Sequence, residues 1–360
     1  MVQNIKLTKR VKVVVGFKCN ANCIFCYYKD FLKKPLISKE KIKKDILFAL
    51  RYGIEEIDFS GGEPTIHPDL PELIYFAKKK GIKKVCIITN GIALAKKEYL
   101  KLLIDSGLDE ILFSLQGYDE SSHDFLVGFK GAYSKLMKAL ENAYKLPVKI
   151  RINSVIHKIN YKKALTIAKV ASLFSPHQFN FITINDWKCA SFSFEELILP
   201  YSEISSPLKE ACSFLEKNLE NINIRYVPFC FFLGYEKYIC GHFQVLYDPF
   251  EWDPYVRVRL EKHYPPFAWI FMIIYGAFKK RDFSLIKEKK YREFLNQCIV
   301  TSIRAYGYTK AKKCKECRYF YLCDGVEKSY AKKLGLDELK PVKGERIKEY
   351  YYFRKHLFKI

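Results

Sequence analysis

The chain has 360 residues and 49% hydrophobic content, enough for a large core and a smaller second lobe. Its 12 cysteines point to metal binding in a reducing, cytosolic setting and argue against a disulfide scaffold. Lys+Arg outnumber Asp+Glu by 62 to 39, giving +23, a field that suits nucleic acid, nucleotides or an anionic membrane, or simply a Lys-rich thermophilic surface.

The opening MVQNIKLTKR lacks the apolar stretch of a signal peptide, so a cytoplasmic protein is expected. From residue 11 to about 185, short β-branched runs alternate with amphipathic stretches. Strands are predicted at Val11–Val15, Glu56–Phe59, Lys84–Thr89, Glu110–Leu115, Val148–Val155 and Gln178–Ile184. Helices are predicted near Lys39–Tyr52, Pro68–Lys80, Lys96–Ser106, Tyr133–Lys145 and Tyr161–Phe174. Ser38 suits an N-cap, Pro68 a first helical position, and Gly53, Gly81 and Gly107 the helix ends. Such alternation gives parallel strands with right-handed crossovers, and six units can make an open, partial barrel. In barrels of this kind chemistry collects at the C-terminal ends of the strands.

The conspicuous residues fall at those ends. After the first strand comes Cys19-Asn20-Ala21-Asn22-Cys23-Ile24-Phe25-Cys26, with cysteines at spacings of four and three. Three such thiolates can hold three corners of an iron–sulfur cube, leaving one iron for a ligand from outside; a zinc site or simply buried cysteines are the alternatives. After the second strand, Ser60-Gly61-Gly62-Glu63-Pro64 combines two glycines that let the backbone approach a ligand with an acceptor for an ammonium group. The third strand ends in Thr89-Asn90-Gly91. On the fourth, Ser114 and Gln116 alternate onto one face, and on the fifth Arg151 and Asn153 do the same, or else mark a solvent-facing edge. Asn180 on the sixth, and the turn Asn185-Asp186-Trp187 after it, are substrate-contact candidates. His67, His123, His157 and His177 have no ligand spacing and read as structural or solvated; Cys86, Cys189, Cys212 and Cys298 read as small buried hydrophobes.

The CxxxCxxC loop, with Phe25 before its last cysteine, resembles the signature of the radical S-adenosylmethionine (SAM) enzymes. The resemblance implies a partial (β/α)6 TIM-like barrel and a [4Fe–4S] cluster on Cys19, Cys23 and Cys26. In that family the open iron chelates SAM, whose reductive cleavage gives a 5′-deoxyadenosyl radical. Gly61, Gly62, Glu63 and Pro64 look like the family's GGEP motif, which contacts the SAM amino group, and Asn90 lies in a TNG similar to that of many members. By the same resemblance one of Ser114 and Gln116 is expected to hydrogen-bond the SAM ribose or carboxylate, while Arg151 and Asn153 are expected to point toward SAM or substrate; an external electron donor such as a flavodoxin or ferredoxin is implied.

Near the C-terminus, Cys314, Cys317 and Cys323 stand as CxxC, five residues, Cys. In this context the pattern looks like part of a SPASM or twitch extension, which implies a second, auxiliary [4Fe–4S] cluster; structural zinc is the alternative. A full SPASM set has another cysteine where this chain has Glu327, so one auxiliary cluster is expected. Its fourth ligand is expected from upstream, Cys230 first and Cys240 second, unless an open iron takes the substrate. Domains are predicted at 1–200 (the barrel), 201–330 (the extension, with a helical insertion near 251–300) and 331–360 (a basic tail). From Lys310 to Ile360, Lys+Arg number 15 and Asp+Glu 7, an excess of +8. The apolar run from Phe267 to Phe278 is too short to span a bilayer and is predicted as a core helix, before an interfacial anchor or the lining of an apolar substrate site. The expected substrate is a peptide side chain, then a tRNA base, then a small molecule or lipid precursor. A non-catalytic iron–sulfur protein, for nucleic-acid binding or electron transfer, is the competing class.

Overall fold

The computed structural model describes residues 5–184, 194–261, 264–265, 267–280 and 283–358. Cys189 and the turn at Asn185, Asp186 and Trp187 lie outside the described residues. The chain forms two compact units, one of Val13–Arg225 and one of Met1–Lys12 with Tyr226–Ile360.

In the first unit the strands are β1 (Arg10–Gly16, shared with the second unit at its start), β2 (Glu56–Gly61), β3 (Lys84–Thr89), β4 (Glu110–Ser114), β5 (Lys149–Ile156), β6 (Gln178–Thr183) and β7 (Asn221–Arg225). They lie side by side in chain order, and from β2 to β7 every neighbouring pair is parallel. All of β1 is buried, as expected of a strand covered on both faces, and this is why it reads as a nearly continuous valine run. β7 was not predicted as a barrel strand, yet it pairs in register with β6.

The crossovers are α1 (Lys39–Arg51), α2 (Leu70–Lys79), α3 (Lys97–Asp105), α4 (Glu120–Val127), α5 (Ala132–Tyr144), α6 (Ala164–Ser172), α7 (Phe194–Leu197) and α8 (Tyr201–Leu215). Ile42, Ile46 and Ala49 give α1 its buried stripe at helical spacing. Ser38 is the N-cap of α1, as predicted, although its side chain makes no cap bond. One cap assignment needs correction: α2 starts at Leu70, so Pro71 rather than Pro68 occupies its first turn. α4 was missed because it is short, although Asp119 and Ser122 form a reciprocal capping box at its start.

Arg151 does face inward, but toward carboxylates of the sheet. It is 2% exposed and meets Asp58 Oδ1 at 3.1 Å and Glu110 Oε2 at 2.7 Å, with Cys86 Sγ at 3.1 Å. One cation between two buried anions offsets their desolvation. Arg151→Met should therefore lower unfolding stability by roughly 3–5 kcal/mol, the range for breaking a buried pair from one side, read from the denaturant midpoint. An unchanged midpoint would contradict an ionic core at this site.

The second unit contains β8 (Ile239–Cys240), α9 (Pro254–Leu260), α10 (Ala268–Lys280), α11 (Ser284–Lys287), α12 (Tyr291–Gly307), the antiparallel pair β9 (Tyr308–Thr309) and β10 (Val326–Glu327), and α13 (Lys328–Leu334). Asp253 caps α9 through Val256 N–H at 2.9 Å and also accepts from Arg292 and Asn296, each at 2.9 Å. α10 is not the core helix predicted: only Gly276 of its residues is buried. That glycine is required, since a Cβ there would lie 2.1 Å from the Cys298 carbonyl oxygen of α12. Among the described residues no helix is long and apolar enough to cross a membrane.

Candidate functional site

The first cysteine group occupies the loop leaving β1. Its backbone is fixed to the end of α4, Asn22 N–H donating to Val127 O at 3.0 Å and Ile24 N–H to Leu126 O at 3.1 Å. Cys23 rests against Ile92, Val127 and Ala132, and Cys26 against Val14, Phe17 and Tyr28. Burial, followed by the nearby Glu63 charge, pushes the Cys19 thiol up to about 12. Burial and then the other two sulfurs raise Cys23; burial also raises Cys26, while Lys29 opposes the shift in both. The thiols are thus protonated near neutrality until a metal takes the protons' place.

The turn after β2 presses directly on this loop. Gly62 N–H donates to Gly16 O at 2.8 Å and Glu63 N–H to Lys18 O at 2.9 Å. A Cβ on Gly61, whose φ is +126°, would lie 2.0 Å from Gly16 O; one on Gly62 would lie 2.1 Å from Lys18 O and 2.3 Å from Phe17 O. The glycines were predicted to make room for a ligand. The space they leave is filled by carbonyls of the cysteine loop itself.

Glu63 is 3% exposed. Its Oε1 accepts from Thr65 N–H (3.0 Å), Thr65 Oγ1 (2.5 Å) and Thr89 Oγ1 (2.7 Å), and its Oε2 from Asn90 N–H (2.8 Å). Burial raises its pKa and these four donors oppose the rise. Pro64 is buried at the start of the short 3-10 turn that Glu63 caps. Asn90 completes the connection: its Nδ2 donates to Asn20 Oδ1 at 2.8 Å and stands 3.9 Å from Cys19 Sγ, while its Oδ1 accepts from Ile92 N–H at 3.0 Å. Thr65 and Asn20 were not singled out in the sequence; their roles depend on turns meeting in space.

The other predicted residues are placed as follows. Phe25 stacks on His157, ring centroids 5.6 Å apart. Ser114 Oγ donates to Asn153 Oδ1 at 3.3 Å, joining two predicted positions. Gln116 lies beyond β4 and turns its Oε1 to Val155 N–H at 2.8 Å, so it bridges β4 and β5. Asn180 accepts from Gln178 (2.6 Å) and Asn223 (2.7 Å) within the sheet. His123 accepts from Gln116 N–H at 3.2 Å, and burial lowers its pKa to about 4; burial does the same to His157.

The second cysteine group belongs to the second unit. Cys230, Cys314, Cys317 and Cys323 line one cavity, with Lys310, Tyr319, Phe320 and Lys340 among its other walls. Cys240 is buried and is not part of the lining. Backbone N–H groups reach two of the sulfurs: Val342 to Cys317 and Gly325 to Cys323, each at 3.3 Å. Backbone hydrogen bonds from Lys340 to Cys230 and from Phe229 to Cys323 favour the thiolates. Burial nevertheless pushes Cys230 up to about 12, and Cys323, Cys317 and Cys314 add to the rise.

Among the described residues the three potential ligand atoms that lie mutually within 4.8 Å are those of Asp58, Cys86 and Glu110, which Arg151 already neutralises. Cysteine thiolates are donors for zinc and for an iron–sulfur cluster alike.

Residues 13–171 match the family model described as the Radical SAM superfamily. That segment is a radical SAM domain, of a superfamily whose members are enzymes built on a [4Fe–4S] cluster and SAM. Among curated proteins it is 28% identical to a probable GTP 3′,8-cyclase of Sulfolobus acidocaldarius over 218 residues, covering 60% of this chain and 68% of that protein. It is 28% identical to the GTP 3′,8-cyclase of Aquifex aeolicus, covering 62% and 72%. It is 37% identical to the Fe-coproporphyrin III synthase of Methanosarcina barkeri, but over only 40% and 36%. Among solved structures, Streptococcus suis SuiB bound to precursor peptide SuiA matches with a TM-score of 0.52 at 18% identity, over 60% of this chain and about half (49%) of SuiB. The structure of anSMEcpe with bound AdoMet and Kp18Cys peptide matches over 97% of this chain and 96% of its own, with a TM-score of 0.54 at 16% identity. These structures agree with the fold.

Glu63→Ala should lower both SAM affinity and the melting temperature, because it strips an acceptor from two hydroxyls and two N–H groups; each lost charge-assisted bond is worth roughly 1.5–3 kcal/mol. Isothermal titration and a thermal melt check the two effects. Loss of neither would contradict the network.

Proposed function

We propose that this enzyme cleaves SAM reductively at a cluster held by Cys19, Cys23 and Cys26, and that Cys230, Cys314, Cys317 and Cys323 hold an auxiliary [4Fe–4S] cluster in a twitch-like extension. When bound, the first cluster supplies the electron that splits SAM into methionine and a 5′-deoxyadenosyl radical, which takes hydrogen from the substrate. The protein's own part is placement. The Gly61–Gly62 turn holds the cysteine loop in register, and Asn90 clamps it through Asn20. Glu63 Oε2 accepts one bond from within the chain, at Asn90 N–H, so its remaining lone pair is available to the SAM ammonium. Ser114 and Asn153 form the polar end of β4 and β5 for the rest of that cofactor.

The observation that carries the auxiliary-cluster reading is the convergence of four cysteines on one cavity. Four thiolates satisfy four irons, so this cluster would have no iron open to substrate and would serve to accept or deliver an electron. An external one-electron donor of the flavodoxin or ferredoxin class completes the cycle. For the substrate, the CxxCx5C extension favours a peptide side chain. A nucleotide is the second reading, favoured by the likeness to GTP 3′,8-cyclases and by Lys310 and Lys340 in the cavity wall.

Anaerobically reconstituted protein should bind about eight irons per chain. Replacing Cys19, Cys23 and Cys26 together by Ala should leave about four and abolish 5′-deoxyadenosine formation. Cys230→Ala should disrupt the second cluster, whereas Cys240→Ala should keep both. Retention of all the iron in the triple variant would overturn the N-terminal assignment, and an intact second cluster in Cys230→Ala the auxiliary one. Deuterium passing from a peptide or a nucleotide into 5′-deoxyadenosine identifies the substrate class.

A further inference from the structure

The helical insertion presents an apolar face that neither the clusters nor the core explain. Phe271, Ile274 and Phe278 on α10 are 72%, 62% and 64% exposed, and Phe267, just before the helix, is 64% exposed. At 3.6 residues per turn the three helix residues fall within a stripe about 60° wide. The opposite side of the helix is the one that meets α12: Gly276 sits against the Cys298 carbonyl, and Ser302 Oγ donates to Met272 O. The inner face therefore packs on α12, while the outer face is solvent-exposed. Phe283 and Ile286, at and beside α11, continue the exposed apolar surface at 48% and 37%.

Charge beside this stripe selects its occupant. Lys279 lies at its end, and Lys287, Lys289 and Lys290 are exposed directly after Ile286. Glu288 is the anion among them and is paired with Lys290 at 2.6 Å. An aromatic stripe with lysines at one end is the pattern of a helix lying in the headgroup boundary of an anionic bilayer, its rings among the acyl chains and its cations on the phosphates. The 13-residue α10 is too short to span, and lying flat requires no span.

We propose that α10 and α11 form an interfacial docking surface for anionic phospholipid membranes. The test is sedimentation of the reconstituted full chain with vesicles of phosphatidylcholine and phosphatidylglycerol, or of phosphatidylcholine alone, at low and high salt. Wild type should bind the anionic vesicles, and added salt or neutral vesicles should weaken binding. Phe271→Ser/Ile274→Ser/Phe278→Ser should reduce anionic-vesicle binding roughly ten-fold or more, since apolar burial supplies the anchor. These positions face solvent, so the melting temperature should hold; if it falls, Lys287→Glu/Lys289→Glu, which leaves the stripe intact, must still reduce binding to the anionic vesicles alone. Absence of binding to anionic vesicles, or binding that survives both sets of changes, overturns the proposal. So does a dimer in solution that the triple substitution converts to monomer without any vesicle binding, because the face would then belong to a second copy.

Discussion

The first unit depends on one close backbone contact. The turn after β2 and the loop after β1 share two hydrogen bonds, Gly62 N–H to Gly16 O and Glu63 N–H to Lys18 O, at a separation that excludes any side chain on Gly61 or Gly62. Because the cysteine loop has no regular structure of its own, that contact sets where Cys19 stands. Glu63 extends the constraint to β3 by holding Thr89 and the Asn90 backbone, and Asn90 returns it to the loop through Asn20. Three successive strand ends are thereby tied together, which is how a site with few charges of its own gains geometric precision.

Much of the barrel was legible because its strands are buried and its helices amphipathic. Lys84–Thr89 is both the predicted and the observed β3. Where the sequence misled, a partner in space was the cause. α10 reads as core because its residues are apolar, yet only a tertiary neighbour decides which face is covered, and α12 covers just one side. Arg151 alternates correctly into the interior, but its partners Asp58 and Glu110 come from two other strands. β7 lies beyond the six predicted units: Ile222–Val227 reads as strand-like, but its place in the sheet beside β6 needed the fold. The spacing within 314–323 announces a metal site, and Cys230, the first upstream candidate, lines the same cavity from 84 residues away in sequence (230 to 314).

The two cysteine groups solve the same problem differently. At the first, three thiols sit on a single loop, and neighbouring turns supply the rigidity. At the second, the sulfurs come from distant segments, and backbone N–H groups of residues 325, 340 and 342 gather around them. Such donors stabilise negative charge on sulfur and tune the potential of a cluster held there.

Cys230 and Cys314 also bracket the stretch that contains α9, α10, α11 and α12. If the proposed auxiliary cluster joins their sulfurs, this stretch becomes an excursion with pinned ends. The entropy of closing such an excursion grows with the logarithm of its length, about 0.6 kcal/mol for each doubling. Lineages could lengthen, shorten or replace the insertion at little thermodynamic penalty to the cluster, so the segment is free to diversify as an adaptable module while the chemistry beside it stays constant.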